Sequence, residues 1–190
     1  GLSIYAKKIF YLLKEEDGRL SLNMPVIREV IENHSHEDVY AFGFTYIIWT
    51  VFYEQLKVEG IRFSFEDFTL FHGGGWKKMQ ELAVSKETFS DTIAEVFRTQ
   101  PENILDFYGM AEQTGIIFVD CEHGNKHVPT FSQVIIRDPF TLEPCDTGKT
   151  GLIEVMSILA DSYYDQADQD TEIFGQDGLI VITVSENAHH

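Results

Sequence analysis

Between residues 39 and 108 the sequence alternates strand-like and helix-like stretches, and this alternation narrows the folds open to the chain more than any other feature. VYAFGF (39–44) is a short aromatic and β-branched run. TYIIWTVFYEQLK (45–57) is too long and too densely apolar for a strand and predicts a mostly buried helix closed by Gly60. FTLF (68–71) reads as a second buried strand that breaks at Gly73, Gly74 and Gly75. SKETFSDTIAEVFR (85–98) offers Ser85 as N-cap and sets Phe89, Ile93, Val96 and Phe97 on one helical face. NILDFY (103–108) supplies a third strand. A βαβαβ order calls for crossovers between parallel strands and helices packed on the sheet, so the expected fold class is α/β with a parallel sheet.

The flanks carry different patterns. IYAKKIFYLL (4–13), the turn-like EEDG and RLSLN (19–23) suit two strands joined by a turn. Asn23 as N-cap, Pro25 in the first turn and Val26, Val30 and Ile31 at helical spacing predict a helix over 24–33. After Gly115 the runs IIFVDC, KHVPTF, QVIIRD and GLIEVMSIL are short strand candidates separated by turn residues, so a smaller β-meander is expected over 116–184, with LIVITV (179–184) a further candidate strand. Asp161–Asp177 holds acids and no basic residue and reads as a solvated segment. No Pro/Gly/Ser-rich linker divides the chain, which predicts a single domain over 1–190, with an α/β part at 39–115 and a β-rich part at 116–184. His189 and His190 are set aside as belonging to a tag.

Thirty-one acidic against fourteen basic residues give a formal charge of -17, a balance that repels phosphate backbones and anionic lipid. Nucleic acid and membrane are therefore not expected partners, and a soluble, cytoplasmic protein is the expectation. Cys121 and Cys145 are too few for a disulfide scaffold; one bridge and two thiols both stay open, with reduced thiols expected in a cytoplasm. Cys121, His123 and His127, in C-x-H-x3-H spacing, are residue types that zinc takes, against the alternative of exposed hairpin histidines.

Two segments could carry chemistry. FHGGGWKK (71–78) follows a strand directly, and its three glycines let a backbone approach a ligand closely at the strand's carboxyl end, where open α/β sheets bind ligands. A tight turn leaving the strand explains the same glycines. Lys77 and Lys78 face either an anionic ligand or solvent. DFYGMAEQTG (106–115) places Tyr108, Gly109 and Glu112 within five residues. Tyr108 can stack on a base and Glu112 can hold Mg²⁺ at a triphosphate; a core tyrosine and a surface glutamate are the alternatives.

Taken with FSQVIIRDP and TGKTGLIEV, these segments resemble, in order and over about residues 20–163, the acyl-protein synthetase family of the bacterial luminescence fatty-acid reductase system, a branch of the adenylate-forming enzymes. The resemblance implies a ligase that uses ATP and magnesium to turn a carboxylic (fatty) acid into an acyl-adenylate, releasing pyrophosphate, and passes the acyl group to a thiol, with AMP leaving. It implies Gly73, Gly74 and Gly75 along the adenine, Tyr108 with Gly109 at its other face, Asp106 at the adenine edge and Glu112 as the catalytic magnesium ligand. Where relatives carry a threonine against the α-phosphate this chain has Ala111, and Thr114 is the substitute. Implied partners are the acid, an acyl-acceptor protein and a complementing half-domain.

Departures from the family pattern shape the expectations. A Ser/Thr/Gly-rich phosphate loop, a clean ribose-binding aspartate among Asp165, Asp168 and Asp170, and a lid lysine find no match, so the chain reads as the second half of an adenylating domain, a partial one that exposes apolar surface and forms a homo-oligomer. The alternative is a non-catalytic interaction module derived from such an enzyme. Phe42, Phe44 and Trp49 are acyl-pocket candidates by position, against core packing.

Overall fold

The computed structural model describes residues 6–110, 115–121, 123–158 and 181–185, the last five as backbone only. They fall into two compact units, residues 6–106 with 181–185, and the described residues between 107 and 158.

In the first unit a mixed sheet runs in the order β1 (Lys8–Tyr11), β10 (Val181–Ser185), β4 (Asp38–Phe44), β5 (Asp67–Gly73) and β6 (Ile104–Gly109). Strand β4 (Asp38–Phe44) pairs in parallel with β5 (Asp67–Gly73), from Asp38 opposite Asp67 to Phe44 opposite Gly73. The first two of the three expected strands are thus parallel neighbours. Strand β6 (Ile104–Gly109) neighbours β5. On the other side of β4 the sheet turns antiparallel: β10 (Val181–Ser185) pairs with β4, and β1 (Lys8–Tyr11) pairs with β10. The candidate strand read at LIVITV (179–184) is thus present over Val181–Ser185, and it lies in this sheet. A nearly unbroken apolar run such as LIVITV suits a strand with neighbours on both sides rather than an edge hairpin.

The single strand expected at 4–13 is two. Leu12 and Leu13 are both fully buried, which no uninterrupted strand can arrange on one face. The chain bends there, and β2 (Leu13–Glu16) forms a separate hairpin with β3 (Arg19–Leu22). Its turn is Asp17–Gly18, both at positive φ (53° and 72°), the backbone that a two-residue hairpin loop with the strands' own twist requires.

Helix α1 (Met24–Asn33) forms where expected and buries Ile27 and Val30. Asn23 precedes it but makes no side-chain cap; its amide donates instead to the Tyr11 carbonyl at 3.2 Å. After β4, α2 (Thr45–Ile47) runs through a π-helical segment (Ile48–Tyr53) into α3 (Glu54–Glu59). Within it the Thr50 hydroxyl donates to the Tyr46 carbonyl at 2.7 Å, occupying the acceptor that an α-helical amide four residues on would use. Gly60, left-handed at φ 66°, closes the helix. Helix α4 (Lys86–Phe97) is capped by Ser85, whose hydroxyl accepts from the Thr88 amide at 3.1 Å, and it buries Phe89, Ile93, Val96 and Phe97.

Between these helices and the sheet lies an aromatic core. Phe52, Phe63, Phe68 and Phe97 are almost wholly buried, and the Phe68 and Phe97 rings stack at 4.1 Å. Phe63 reaches the core from the loop after Gly60, pinned by its amide to the Val96 carbonyl.

In the second unit the distal half of β6 pairs antiparallel with β7 (Ile117–Val119), and β8 (Ser132–Arg137) pairs antiparallel with β9 (Leu152–Ser157). KHVPTF (126–131) does not form the expected strand; Lys126 bridges back to Asp120 and the His127 amide donates to the Val119 carbonyl. Pro129 has no amide to give a ladder. Among the described residues no helix is long and apolar enough to cross a membrane.

Candidate functional site at the carboxyl ends of β4 and β5

Parallel pairing in this register brings Phe44 opposite Gly73, so the two strands end together. From there the chain enters α2 at Thr45 on one side and the glycine turn on the other. Gly73 is buried at the strand end, whereas Gly74 and Gly75 are exposed and left-handed, at φ 76° and 59°. A Cβ on Gly74 would stand 2.8 Å from Cδ1 of Phe44, so a side chain there is excluded by contact as well as by φ. A Cβ on Gly75 would meet nothing within 4 Å, which leaves that backbone open to a flat ligand. Lys77 also holds positive φ, 47°, and its ammonium lies 4.7 Å from the centre of the Phe44 ring and 5.3 Å from that of Tyr46. Lys78 is exposed.

Two residues that the sequence reading passed over tie this edge together. Thr45 Oγ1 lies 2.9 Å from His72 Nδ1 and donates to the Gly73 carbonyl at 3.0 Å; both side chains are buried. His72 Nδ1 is also 3.9 Å from Oδ1 of Asp106, a half-buried carboxylate. Gly73 and Asp106 are thereby connected through one imidazole. The His72 ring packs on Phe89 at 4.4 Å, and Trp76 stands edge-on to both Phe89 and Trp49. A histidine beside a glycine run is a weak signal in sequence, and Thr45 gives none at all.

Other sequence candidates fall as follows. Phe42 stacks on Phe71, Phe44 on Tyr46, and Trp49 packs against Tyr53 and Phe89, so each has a packing role. In the second unit Tyr108 is 41% exposed, 6.1 Å from the Phe118 ring, which removes the core-tyrosine alternative. Gly109 sits opposite Ile117, and a Cβ there would be in ordinary contact with it. Ala111, Glu112 and Thr114 lie outside the described residues, as do Asp165, Asp168 and Asp170. Among the described residues no three His, Cys, Asp or Glu side chains converge as a metal would need, so Cys121, His123 and His127 form no such set; the two histidines are exposed and both cysteines are free thiols. The zinc candidate is corrected accordingly, and the alternative of exposed hairpin histidines holds, in a turn where the Cys121 amide donates to the Asn125 carbonyl and the Gly124 amide to the Cys121 carbonyl.

The first unit also has an open depression of about 510 Å³ between β3, α1 and α3, lined by Leu22, Arg28 and Gln55 among others. It does not border the glycine turn, and the Gln55 carboxamide there is already bonded to the backbone of Leu22 and Leu20.

The family described as acyl-protein synthetase, LuxE, matches residues 4–178. Two curated relatives are both named long-chain-fatty-acid–luciferin-component ligase. The Vibrio harveyi protein is 36% identical over 98 residues, 51% of this chain and 26% of its own length. The Aliivibrio fischeri protein is 27% identical over 132 residues, 68% of this chain and 34% of its own length. The chain thus spans about a quarter to a third of the length of these relatives. Among solved structures, ATP-bound MatB from Rhodopseudomonas palustris is 16% identical with a TM-score of 0.40, covering 83% of this chain and 32% of that one. The ATP-bound RpMatB-BxBclM chimera B3 is similar at a TM-score of 0.41 and the same identity.

Proposed function

Because the chain belongs to the acyl-protein synthetase LuxE family, we propose that it carries the adenine side of a site at which ATP activates a carboxylic acid. The acid's carboxylate attacks the α-phosphorus, pyrophosphate leaves, and the acyl-adenylate then gives its acyl group to a thiolate with loss of AMP. The relatives' names point to a long-chain fatty acid joined to a luciferin component, and the family description to a protein as acyl acceptor.

Support comes above all from the glycine turn. It closes against Phe44 at Gly74 and stays open at Gly75, at the shared carboxyl ends of two parallel strands, where α/β sheets receive nucleotides. In this reading the flat purine lies along Gly73–Gly75 with Asp106 at its edge, the carboxylate accepting from an exocyclic amine. Tyr108 and Gly109 are assigned a nucleotide contact, Thr114 a phosphate contact and Glu112 the magnesium. Magnesium would supply charge neutralisation on the phosphates.

An azidoadenine analogue of ATP, photolysed with the protein and mapped by peptide mass spectrometry, tests the reading. Label is expected on the peptide spanning 72–78, competed by AMP and not by GMP. Label scattered over the chain, or equal labelling of the urea-unfolded chain, would overturn it in favour of a module that binds no nucleotide.

A further inference from the structure

We propose that His72 is the positioning residue of the glycine turn, acting through Thr45 with a proton held on Nδ1. The assignment follows from counting protons. Thr45 has one hydroxyl hydrogen and two bonds to make, at 3.0 Å to the Gly73 carbonyl and at 2.9 Å to His72 Nδ1. A carbonyl can only accept, so the hydroxyl hydrogen goes to Gly73. Oγ1 must then accept from His72, which puts a hydrogen on Nδ1. The opposite tautomer would face two lone pairs across 2.9 Å or strip the buried Gly73 carbonyl of this donor, and polar groups in such a setting are costly to leave unmade. Asp106, with Oδ1 3.9 Å from Nδ1, favours the same proton electrostatically.

The consequence is directional. Nδ1–H to Oγ1, and Oγ1–H to the Gly73 carbonyl, form a chain in which each bond polarises the next. The carbonyl at its end belongs to the peptide that leads into Gly74, so the imidazole sets the peptide plane from which the left-handed pair Gly74–Gly75 departs. Phe89, packed on the ring at 4.4 Å, and the burial of both His72 and Thr45 hold the relay in one orientation. His72 touches no nucleotide in this scheme; it fixes the backbone that would. That a nucleotide lies on the turn rests on the function proposed above, whereas the proton position does not.

Two measurements separate the claims. Long-range ¹⁵N–¹H correlation spectra of the labelled protein, with His72 assigned by its loss in His72→Asn, should show a pyrrole-type Nδ1. A pyridine-type Nδ1 would overturn the proposal whatever the protein binds. Azidoadenine labelling of peptide 72–78 is then compared among variants. The amide nitrogen of Asn can take the place of Nδ1, while that of Gln takes the place of Nε2. His72→Asn should therefore keep labelling near the wild-type level, and His72→Gln, His72→Phe and Thr45→Val should each lower it roughly fivefold or more, the worth of about one hydrogen bond. Variants are compared only where far-UV circular dichroism matches the wild type. Equal losses in the Asn and Gln variants would mean that the ring only fills space and would overturn the positioning role. Absence of labelling in the wild type, with Nδ1 pyrrole-type, would instead refute the nucleotide reading and leave His72 as the organiser of the turn.

Discussion

Adding one methyl group at Gly74 or at Gly75 asks the same question of the backbone and different questions of the packing. Both residues have positive φ, 76° and 59°, where an L side chain costs about 1–2 kcal/mol. At Gly75 the new Cβ meets nothing within 4 Å, so that backbone cost is the whole effect. At Gly74 it meets Cδ1 of Phe44 at 2.8 Å, and the Phe44 ring is itself confined by Tyr46, stacked at 6.2 Å, and by the Lys77 ammonium. Overpacking of this kind adds about 1–3 kcal/mol. Gly75→Ala is thus expected to destabilise by about 1–2 kcal/mol and Gly74→Ala by about 2–5 kcal/mol. Removing the ring removes the difference: in a Phe44→Ala background the penalty at Gly74 should fall to that at Gly75, a coupling of about 1–3 kcal/mol in a double-mutant cycle. Urea unfolding followed by tryptophan fluorescence is the assay, since Trp76 directly follows the turn and its ring lies 6.1 Å from that of Trp49. Equal losses at the two glycines, or a coupling below about 0.5 kcal/mol, would refute the assigned contact.

Phe97→Ala should cost about 3–5 kcal/mol by urea unfolding, because Phe97 is 1% exposed and stacks on both Phe68 and Phe63; a loss under about 1 kcal/mol would contradict the aromatic core. A Cβ on Gly151 would collide with the Arg137 carbonyl, so Gly151→Ala should abolish amide protection along β8 and β9 in hydrogen exchange while leaving that of β4 and β5 intact. Backbone amides of Thr141 and Phe140 hold the Asp138 carboxyl below its ordinary value of 3.8. A depressed folded-state pKa stabilises above the unfolded value, and that contribution is lost as pH falls through the folded one. The stability difference between wild type and Asp138→Ala should therefore be constant at neutral pH and shrink below about pH 4 in acid titrations.

Local rules made much of the first unit legible. Pro25 and the apolar spacing marked α1, Ser85 marked the start of α4, Gly60 marked the end of α3, and Gly73–Gly75 marked where β5 stops. What stayed hidden depends on partners far away in the chain. LIVITV reads as a strand, but nothing local says that it enters the sheet between β1 and β4. Leu12–Leu13 hides a bend inside what reads as one apolar run, and Phe63 is a core residue in a loop with no periodicity to betray it. At the candidate site the glycine run could be read directly and Asp106 only through the family resemblance, whereas the bond between Thr45 and His72 joins residues 27 positions apart. Neither residue type announces a hydrogen bond that only the parallel register of β4 and β5 creates.

That register has a companion whose effect falls on biosynthesis. Strand β10 separates β1 from β4, yet Val181 is made long after Phe44. At about 5–20 residues per second, ribosomes need on the order of ten seconds to cover the interval. Once Gly73 has been made β4 can pair with β5, but its other margin stays vacant and β1 lacks the strand it pairs with. A vacant margin of backbone donors and acceptors invites the wrong strand. The nascent chain is therefore most exposed to mispairing until residue 181 emerges, and stalling before that point would lengthen the period in which it needs protection.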